Sequence, residues 1–580
     1  MLYLLIIFLL AVFLRFYGLN WDQGFHLHPD ERAIVMFTTP LQFPKSIAEF
    51  ISPQSEWNPH FFAYGSFPIY FLKIAGNVAS IVDPTYATYD KINLLGRFIS
   101  AIFDIGTLCI LFFLAKKLFN KHVGLLAAFF YAISVLPIQL SHFYAVDTPL
   151  TFFILVTLYQ LVRLYEKPTV IKSILVGFFF GISLATKTSA LVLVASIGMA
   201  IAVDFLLIFL KNPHRPHIWF PHVPKFLKRL FTDGFVIAVV TIITFIIFEP
   251  YALIDFKEFL KQTQETSQVM YNAFAFPFTL QYVGKIPYWY ELKNIFLWGQ
   301  GPLLASFSFL GVLFVTFKAL TMLYSSSEVE KSTMKQLDNR TIIILTFFWI
   351  YFLVVGHFAI GFMRYMLPLY PLFCLFAAVF LHRLLSFRAK SRNLRSLHAL
   401  RLVGMTAGIA LLLIWPLMFL HIYTKPNTRV QATNWINQNI PLGSVIATEH
   451  WDDGLPLETQ SNYKILELPM YEPDTTAKWE KINMVLQQTE YIILASNRLY
   501  VPLMKLTNCA ILPMGRCYTQ TAAYYKNLFA GSLNFKKVAE FFVLPQLSTF
   551  NFQLSIDDSS ADESFTVYDH PKVMIFKRVN

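Results

Sequence analysis

Long apolar runs dominate the first 423 residues of the chain. A membrane-spanning helix needs about 17 to 25 mostly apolar residues, and windows of that length recur between short polar breaks. The run 171–210 is too long for one crossing, so we divide it at Lys187. The first run lacks a basic leader and an A-x-A-like cleavage site, which favours an uncleaved span. The pattern predicts about eleven spans, at 1–17, 94–115, 123–141, 148–164, 171–187, 189–210, 234–250, 302–324, 341–360, 366–385 and 402–423.

Three long segments between and after these runs are too polar to cross a bilayer. We predict structured loops at 18–93 and 251–301, the first with a short interfacial or re-entrant helix at 67–82. In the tail, 424–580, strand patterns alternate with helical ones, which is typical of a small α/β domain. The helical stretches are RVQATNWINQNI and AKWEKINMVLQQT, and the strands are SVIATEH, YKILELPM and EYIILAS. We therefore predict a membrane domain at 1–423 and a soluble domain at 424–580.

Basic residues predict the orientation of the spans. They are concentrated in every second connection, whereas the short alternate connections contain only Lys187 and Arg364. Since basic loops stay in the cytoplasm, we expect the N-terminus inside and, after eleven spans, the C-terminus and the long loops outside. The basic residues are Lys116, Lys117, Lys121, Arg163, Lys167, Lys172, Lys211, Arg215, Lys225, Lys228, Arg229, Lys331, Lys335, Arg340, Arg383, Arg388, Lys390, Arg392, Arg395 and Arg401.

The composition supports this mainly α, polytopic membrane architecture. Charged residues make up 14% of the chain and hydrophobic ones 56%, whereas a soluble domain carries about 25% charged residues. The net charge of +12 is spread among the apolar runs and forms no single patch, which excludes a nucleic-acid-binding role. Four cysteines without a CxxC pair argue against a zinc or redox site. Cys509 and Cys517 lie in the predicted outer domain, where a disulfide or two free thiols are both compatible with the sequence.

The sequence GLNWDQGFHLHPDERA, directly after the first span, contains the strongest candidate for chemistry. Asp30 and Glu31 are adjacent carboxylates beside His26 and His28. A carboxylate at the mouth of a helical bundle can act as a general base toward a hydroxyl group. The alternative is structural, because Asp is also a favoured residue for capping and opening a helix such as ERAIVMF.

A second carboxylate and two cations fall at helix ends on the same predicted side. Asp147, in SHFYAVDTPLTFF, is a candidate for the site, although Asp-Thr-Pro is also a good helix start. Lys187 and Arg364 are candidates for binding phosphate, since fixed cations and the guanidinium fork suit phosphate oxygens. Ionisable residues gathered at one leaflet indicate a site, although each could be an interfacial anchor. Weaker candidates for the same pocket are Tyr365, His357, Arg97 and Lys285.

The tail contains one further polar cluster, in EHWDDGLPL. His450, Asp452 and Asp453 could face the mouth of the site. We favour a solvated turn here, because Asp and Gly dominate turns.

These motifs together resemble the glycosyltransferase C superfamily. The resemblance rests on HPDE after the first span, SHFYAVDTPLTFF, ATKTSA, RYMLPLYP and the helical plan, and covers most of 1–423. It is strongest toward the protein O-mannosyltransferase and aminoarabinose transferase branch of phospholipid-carrier-dependent glycosyltransferases. Such enzymes place a helical bundle with long outer loops in the cell membrane and use a polyprenyl-phosphate sugar as donor.

The resemblance implies a reaction and roles for the residues. Asp30, with Glu31 as its neighbour, matches the proposed catalytic base, and Asp147 matches a second-loop acid. That acid helps to hold a divalent cation in the oligosaccharyltransferase branch. Here Ala145 replaces the first Asp of a D-x-D pair, so Mg²⁺ or Mn²⁺ on Asp147 and Asp30 is left open. The expected reaction is an inverting displacement that transfers the sugar to a hydroxyl of a protein, lipid or glycan.

Two other classes of protein compete with this interpretation. A transporter or lipid flippase would also have many spans with buried charge, but transporters commonly show paired halves with broken helices. We find no internal repeat, and the charges lie at helix ends. A scaffold without chemistry would leave the placement of HPDE and RYMLPLYP unexplained.

Overall fold

The computed structural model of the protein describes residues 2–324, 338–390, 398–549 and 552–579. Within those ranges, eight helices are long and apolar enough to cross a membrane, or nine if a bent pair of helices forms one span. Two shorter apolar helices are Leu2–Phe16 and Val170–Thr186. The chain is therefore a mainly helical, multi-pass membrane protein. The main helices of these eight segments are Ile92–Leu118, Asp147–Glu166, Leu193–Lys211, Phe235–Phe248, Pro302–Tyr324, Asn339–Gly356, Tyr370–Lys390 and His398–Leu420. Phe235–Phe248 alone is short, and its segment reaches crossing length only with the helical turns from Pro216 onward.

Each of the eleven predicted spans corresponds to a helix or to the bent pair. The long run 171–210 does break at Lys187, which is extended (φ −163°, ψ 134°) between two helices. We predicted one continuous helix at 123–141, but the structure has two, Lys121–Ala132 and Val135–Ser141, with a bend of 59° between them. Pro137 explains this difference. It has no N–H to bond back along a continuous helix, so the helix restarts at Val135 and places Pro137 in its first turn.

Small residues bring the helices of the bundle together. Gly177 and Gly181 line one side of Val170–Thr186, against Phe235–Phe248. A Cβ at Gly181 would lie 2.6 Å from the Thr244 side chain, and one at Gly177 would lie 2.7 Å from the backbone oxygen of Ile237. Close approach through a small-xxx-small pattern is typical of membrane helices, which pack through van der Waals contact.

The two long loop segments pack on each other at one end of the bundle, here called the loop end. Asn58 donates to Asp255 at 3.0 Å, and the Gln262 side chain accepts from the backbone of Phe62 at 2.7 Å. The predicted helix at 67–82 is present as Phe67–Ala79. Other helices of these segments are Pro29–Thr38, Ile47–Phe50, Pro84–Ala87, Tyr251–Ile254, Phe256–Met270, Pro277–Tyr282 and Trp289–Asn294, and those elsewhere in the bundle are Pro216–Trp219, Val223–Arg229 and Met363–Leu369.

Some residues used to predict the orientation fall outside this description. Lys331, Lys335, Arg392 and Arg395 lie outside the described residues, as do the side chains of Arg388, Lys390 and Arg401.

The C-terminal residues form the expected α/β unit. Its five-stranded sheet has the order β2-β1-β3-β7-β4, in which β1, β2 and β3 are parallel and β7 is antiparallel to both its neighbours. A separate hairpin pairs β5 with β6. The strands are β1 (Val445–Glu449), β2 (Lys464–Leu468), β3 (Tyr491–Leu494), β4 (Phe535–Phe541), β5 (Gln546–Thr549), β6 (Phe552–Ser555) and β7 (Val573–Arg578), and the helices are Thr428–Asn439, Thr476–Gln488, Tyr500–Leu503, Thr519–Ala530 and Glu563–Thr566.

Both faces of this sheet are covered, as parallel strands require. Ile446 and Ile493 pack on one face with Ile436, from Thr428–Asn439. On the opposite face, Ile492 packs with Ile482, from Thr476–Gln488. Alternation along the strands therefore divides the domain into two cores. A disulfide joins Cys509 and Cys517, whose Cα atoms are 5.3 Å apart.

A buried histidine ties the end of the C-terminal domain to the bundle. His570 contacts Asp569 through Nδ1 at 2.5 Å and Asp558 through Nε2 at 2.8 Å. The second oxygen of Asp569 accepts from Tyr423 Oη at 2.9 Å and from Gln139 Nε2 at 3.1 Å, both on the membrane bundle. Asp569 therefore joins the two parts of the chain.

This contact predicts that stability depends on pH. Burial opposes protonation of His570, but Asp569 and Asp558 outweigh it and raise the pKa of His570 to about 10. The stabilisation is complete below the unfolded pKa of about 6.5 and is lost as the pH rises through about 10, by at most about 1.4 kcal/mol per pH unit. We expect the melting temperature of His570→Gln to fall less steeply above about pH 8 than that of the wild type.

Above about pH 8 the titration of two other buried groups, both carboxyls, contributes little to the change in melting temperature. Burial raises the pKa of Glu449 to about 8 and that of Glu563 to about 7, so their effects fall mainly at lower pH. His450→Gln is the matched control, because His450 is half exposed and pairs with the exposed Glu467. Equal slopes for the wild type and His570→Gln would contradict the prediction.

Candidate active site

The helix Pro29–Thr38 presents the acidic pair at the loop end of the bundle. Its N-cap is His28, whose Nδ1 accepts from the backbone N–H of Glu31 at 3.3 Å, and Pro29 occupies the first helical position. Since His28 takes the capping role, the carboxylate of Asp30 is free of the structural duty that the sequence left open for it.

Asp30 forms an ion pair with Arg364. It also accepts a hydrogen bond from Tyr64 Oη at 2.8 Å. Its side chain retains 18% exposure. Arg364 comes from the short helix Met363–Leu369, 334 positions along the chain, so only the tertiary fold brings this acid and this cation together.

The second acid and the second cation complete the same cluster. Asp147, at the first turn of Asp147–Glu166, accepts from Lys187 Nζ at 2.8 Å. Arg364 Nε lies 3.8 Å from the other oxygen of Asp147. Asp30, Asp147, Lys187 and Arg364 therefore form one alternating group of two carboxylates and two cations, as the sequence predicted from their positions at helix ends.

Aromatic rings hold the two cations in place. Lys187 Nζ lies 4.6 Å from the centre of the Tyr365 ring, and the Arg364 guanidinium carbon lies 4.9 Å from that of Phe362. Tyr351 Oη donates to the Tyr365 carbonyl at 2.9 Å and so braces this segment. Cation–π contact adds roughly 0.5 to 2 kcal/mol, and the rings fix where the positive charge lies.

Glu31 points to a different cluster from its neighbour. It is fully buried and receives Arg97 Nε at 2.9 Å and Nη2 at 2.6 Å, together with the backbone N–H of Tyr144 at 2.8 Å. The same guanidinium binds Asp22 at 2.7 and 2.9 Å. Burial raises the pKa of Glu31. Burial also opposes ionisation of Asp22, but Arg97 outweighs it and holds the pKa of Asp22 below its usual value.

This arrangement places Arg97 in a closed ionic cluster and away from the cations of the Asp30 group. Its guanidinium is fully buried and also donates to the Leu19 carbonyl at 2.8 Å. Asp22 was not among the sequence candidates, since nothing in WDQG distinguishes it from an ordinary turn residue.

Two further candidates lie apart from the four-residue cluster. Lys285 forms an ion pair with Glu291, donates to the Ile360 carbonyl at 3.4 Å and is almost fully buried. His357 is exposed where Asn339–Gly356 ends. In the described part of the chain, neither forms a hydrogen bond or an ion pair with Asp30 or Asp147.

The C-terminal domain contacts the helix that carries Asp30. Arg32, two residues after Asp30, donates to Asp453 at 3.0 Å. Asp452 is almost completely buried and binds Arg429 at 3.2 Å. The expected solvated turn is therefore wrong for both aspartates and holds only for His450, because the turn docks onto the acidic loop and is not left in water.

The donor set fits a divalent cation poorly. Among the described residues, no three His, Cys, Asp or Glu side chains are grouped so that they could hold a metal ion. Asp30 and Asp147 are instead separated by Arg364 and Lys187. These cations already neutralise the two carboxylates, so a further cation would have to displace them.

Residues 91–224 match a family model described as dolichyl-phosphate-mannose-protein mannosyltransferase. This range includes Asp147 and Lys187 but neither Asp30 nor Arg364. The match confirms the resemblance to glycosyltransferase C enzymes that the sequence indicated. A comparison with curated protein sequences finds no match.

Solved structures of the same architecture include the archaeal oligosaccharyltransferase AglB of Archaeoglobus fulgidus, in complex with an inhibitory peptide and a dolichol-phosphate. The likeness has a TM-score of 0.51 at 13% identity and covers 99% of this chain and 88% of AglB. ArnT of Cupriavidus metallidurans, bound to undecaprenyl phosphate, gives a TM-score of 0.47 at 11% identity and covers 87% of this chain and 94% of ArnT. The likeness to AglB shows a shared fold.

The Arg97 cluster predicts a large effect on stability. Arg97→Gln removes the one guanidinium that neutralises Asp22 and Glu31, and breaking a buried ion pair from one side costs about 3–5 kcal/mol. We expect a clearly lower melting temperature for the purified protein. Lys116→Gln is the matched control, because Lys116 lies exposed on the same helix.

The same pair of variants separates structural from ligand-binding roles. Wild-type stability of Arg97→Gln, together with weaker binding of a polyprenyl phosphate, would mean that Arg97 contacts the ligand.

Proposed function

We propose that the protein is a membrane glycosyltransferase that transfers a sugar from a polyprenyl-phosphate donor to a hydroxyl group. The carrying observation is the cluster of Asp30, Asp147, Lys187 and Arg364 at the loop end of the bundle, beneath the C-terminal domain. The mannosyltransferase-type match over 91–224 and the AglB-like fold support the same class of enzyme.

The two cations are assigned to the donor phosphate. Arg364 offers a planar fork for two phosphate oxygens and Lys187 a point charge. In the ligand-free protein both are paired with carboxylates, so an arriving phosphate would take the place of the carboxylate oxygens. Tyr365 lies against both cations and serves to position them.

Asp30 is assigned as the general base. When phosphate binds Arg364, the Asp30 carboxylate loses its counter-ion and becomes available to a hydroxyl proton. The acceptor oxygen then forms a bond to the anomeric carbon while the bond from that carbon to the phosphate oxygen breaks. The proton goes to Asp30, the electron pair stays on the leaving phosphate beside Arg364 and Lys187, and the configuration inverts.

The remaining candidates receive supporting roles. Glu31 and Arg97 position the helix that carries Asp30, and Asp147 orients Lys187. Mannose or a related hexose is the proposed sugar, on the strength of the family match. The acceptor is a hydroxyl of a protein, lipid or glycan.

The proposed topology has eleven spans with the N-terminus in the cytoplasm. The basic connections support it, as does the position of both long loops and the C-terminal domain at one end of the bundle. We place the membrane domain at 1–423, the soluble domain at 424–580 and the reaction on the outer face of the cell membrane.

Loss of the base gives the main test. Asp30→Asn keeps the size of the side chain but cannot accept the proton, so we expect transfer to fall by about 10²–10⁴-fold. The measurement is release of radiolabelled mannose from polyprenyl-phosphate mannose in right-side-out vesicles, with and without a chelator. Asp90→Asn is the control, because Asp90 is an exposed acid of the same loop.

Three outcomes would change the assignment. Near-normal transfer by Asp30→Asn would remove Asp30 as the base. Loss of transfer with the chelator would show that a metal takes part. No release by the wild type from mannose, glucose or aminoarabinose donors would contradict the enzyme class, and flux in liposomes would then test a transporter.

Loss of a residue that binds the donor phosphate should change the kinetics in a different way from loss of the base. Arg364→Gln and Lys187→Gln each remove at least one charge-assisted hydrogen bond of about 1.5–3 kcal/mol, so we expect transfer efficiency to fall by about 10- to 100-fold or more. Part of this loss should appear as a higher KM for the donor. Lys293→Gln, which alters an exposed lysine of the second loop, should behave as the wild type; an unchanged donor KM in both site variants would contradict the assignment.

A further inference from the structure

Among the described residues, one nitrogen of the His28 side chain forms a hydrogen bond and the other does not. Its Nδ1 accepts the helix-capping hydrogen bond from Glu31 at 3.3 Å, which leaves the ring proton on Nε2 when the imidazole is neutral. Nε2 is buried and has no hydrogen-bond partner in the described part of the chain, and the residue has no exposed surface. Burying a donor without a partner costs about 1–3 kcal/mol, so this one calls for an explanation.

The surroundings keep this donor neutral and rigid. The imidazole is packed between Phe143 and Tyr568, whose tilted rings have their centres 4.4 and 4.3 Å from its own. Burial, and after it the positive charge of Arg364, hold the pKa of His28 well below its usual value. His28 therefore stays an uncharged N–H donor, two residues before the Asp30 that pairs with Arg364.

The ring also lies where the two parts of the protein meet. His28 precedes Asp30 by two residues, and Tyr568 belongs to the C-terminal domain. Arg498 of that domain pairs with Glu563 at 2.7 Å, and its positive charge is among those that, after burial, lower the pKa of His28. Because Asp30 pairs with Arg364 and Tyr568 packs on His28, a ligand between Arg364 and the C-terminal domain would lie against His28.

We propose that His28 Nε2–H is a binding group for the glycosyl-phosphate part of the donor, with Tyr568 as the wall that holds it. The inference rests on the proposed function, and it adds a recognition residue that the catalytic assignment does not use. The bonded atom is an oxygen acceptor, which can be a sugar hydroxyl or a phosphate oxygen.

Two substitutions separate the two nitrogens of His28. Asn places its amide oxygen near the position of Nδ1, and Asn is a good N-cap, so His28→Asn keeps the cap and loses the distal donor. Gln places its amide nitrogen near the position of Nε2, so His28→Gln keeps the distal donor and weakens the cap. A purely structural histidine would tolerate Asn better than Gln in every measurement.

The experiment measures binding and melting temperature of the full-length protein in nanodiscs. The probes are polyprenyl-phosphate mannose and polyprenyl monophosphate without sugar. We expect His28→Asn to melt like the wild type but to bind the mannosyl probe about tenfold more weakly, while His28→Gln melts lower and retains binding. If only the mannosyl probe loses affinity, the acceptor is on the sugar; if both lose it equally, the acceptor is on the phosphate.

The failures of the two proposals are distinguishable. Wild-type protein that binds neither probe would overturn the proposed function and this inference with it. Wild-type protein that binds them, with His28→Asn binding both as tightly, would overturn the role of His28 alone and leave Arg364 and Lys187 as assigned.

Discussion

One buried guanidinium fixes the position of the helix that carries Asp30. Arg97, in the long helix Ile92–Leu118, binds Asp22 on one side and Glu31 on the other, and the Trp21 ring lies 4.8 Å from its guanidinium carbon. Such a group is costly to bury unless its hydrogen bonds are satisfied, and here they are. Because successive helical residues differ by about 100° in direction, anchoring Glu31 to Arg97 turns Asp30 away from the cluster. Asp30 meets Arg364 instead.

The C-terminal domain reaches the same helix through the carboxyl ends of its parallel strands. Asp453, after β1, binds Arg32, while Arg498, after β3, binds Glu563. The strands β1 and β3 are neighbours, and β2 lies on the other side of β1, so the chain reverses direction across the sheet at this point. In α/β sheets, ligands bind outside the carboxyl ends of strands at such a point. Here that edge is directed at the helix that carries Asp30.

The sequence predicts the features of the fold that depend on a local pattern. It does not predict contacts between side chains that are distant in the sequence. Apolar runs locate the spans, and the break at Lys187 follows from a length limit. The four-residue cluster could be predicted because its members fall at helix ends on one predicted side of the membrane.

The pairing within the acidic loop could not be predicted from the sequence. Adjacent Asp30 and Glu31 look equivalent, yet one faces Arg364 and the other Arg97, which come from opposite ends of the bundle sequence. Asp452 was predicted to lie in a solvated turn, because the sequence does not show that it pairs with Arg429 of the helix Thr428–Asn439. The sequence analysis did not predict the strands β4 and β7 for a similar reason. β7 joins the sheet by pairing with β3 and β4, and these partners are distant from it in the sequence.

The balance of charge within the four-residue cluster connects binding to chemistry. Two carboxylates and two cations cancel, so the ligand-free site does not bury a net charge, which would be expensive in a poorly solvated place. A phosphate can replace the carboxylate oxygens around Arg364 with little change in the field at the cations. In the mechanism we propose, the carboxylate it releases is that of Asp30, which is left without its counter-ion beside the acceptor. On that proposal, binding of the donor strengthens the base, which is otherwise paired with Arg364.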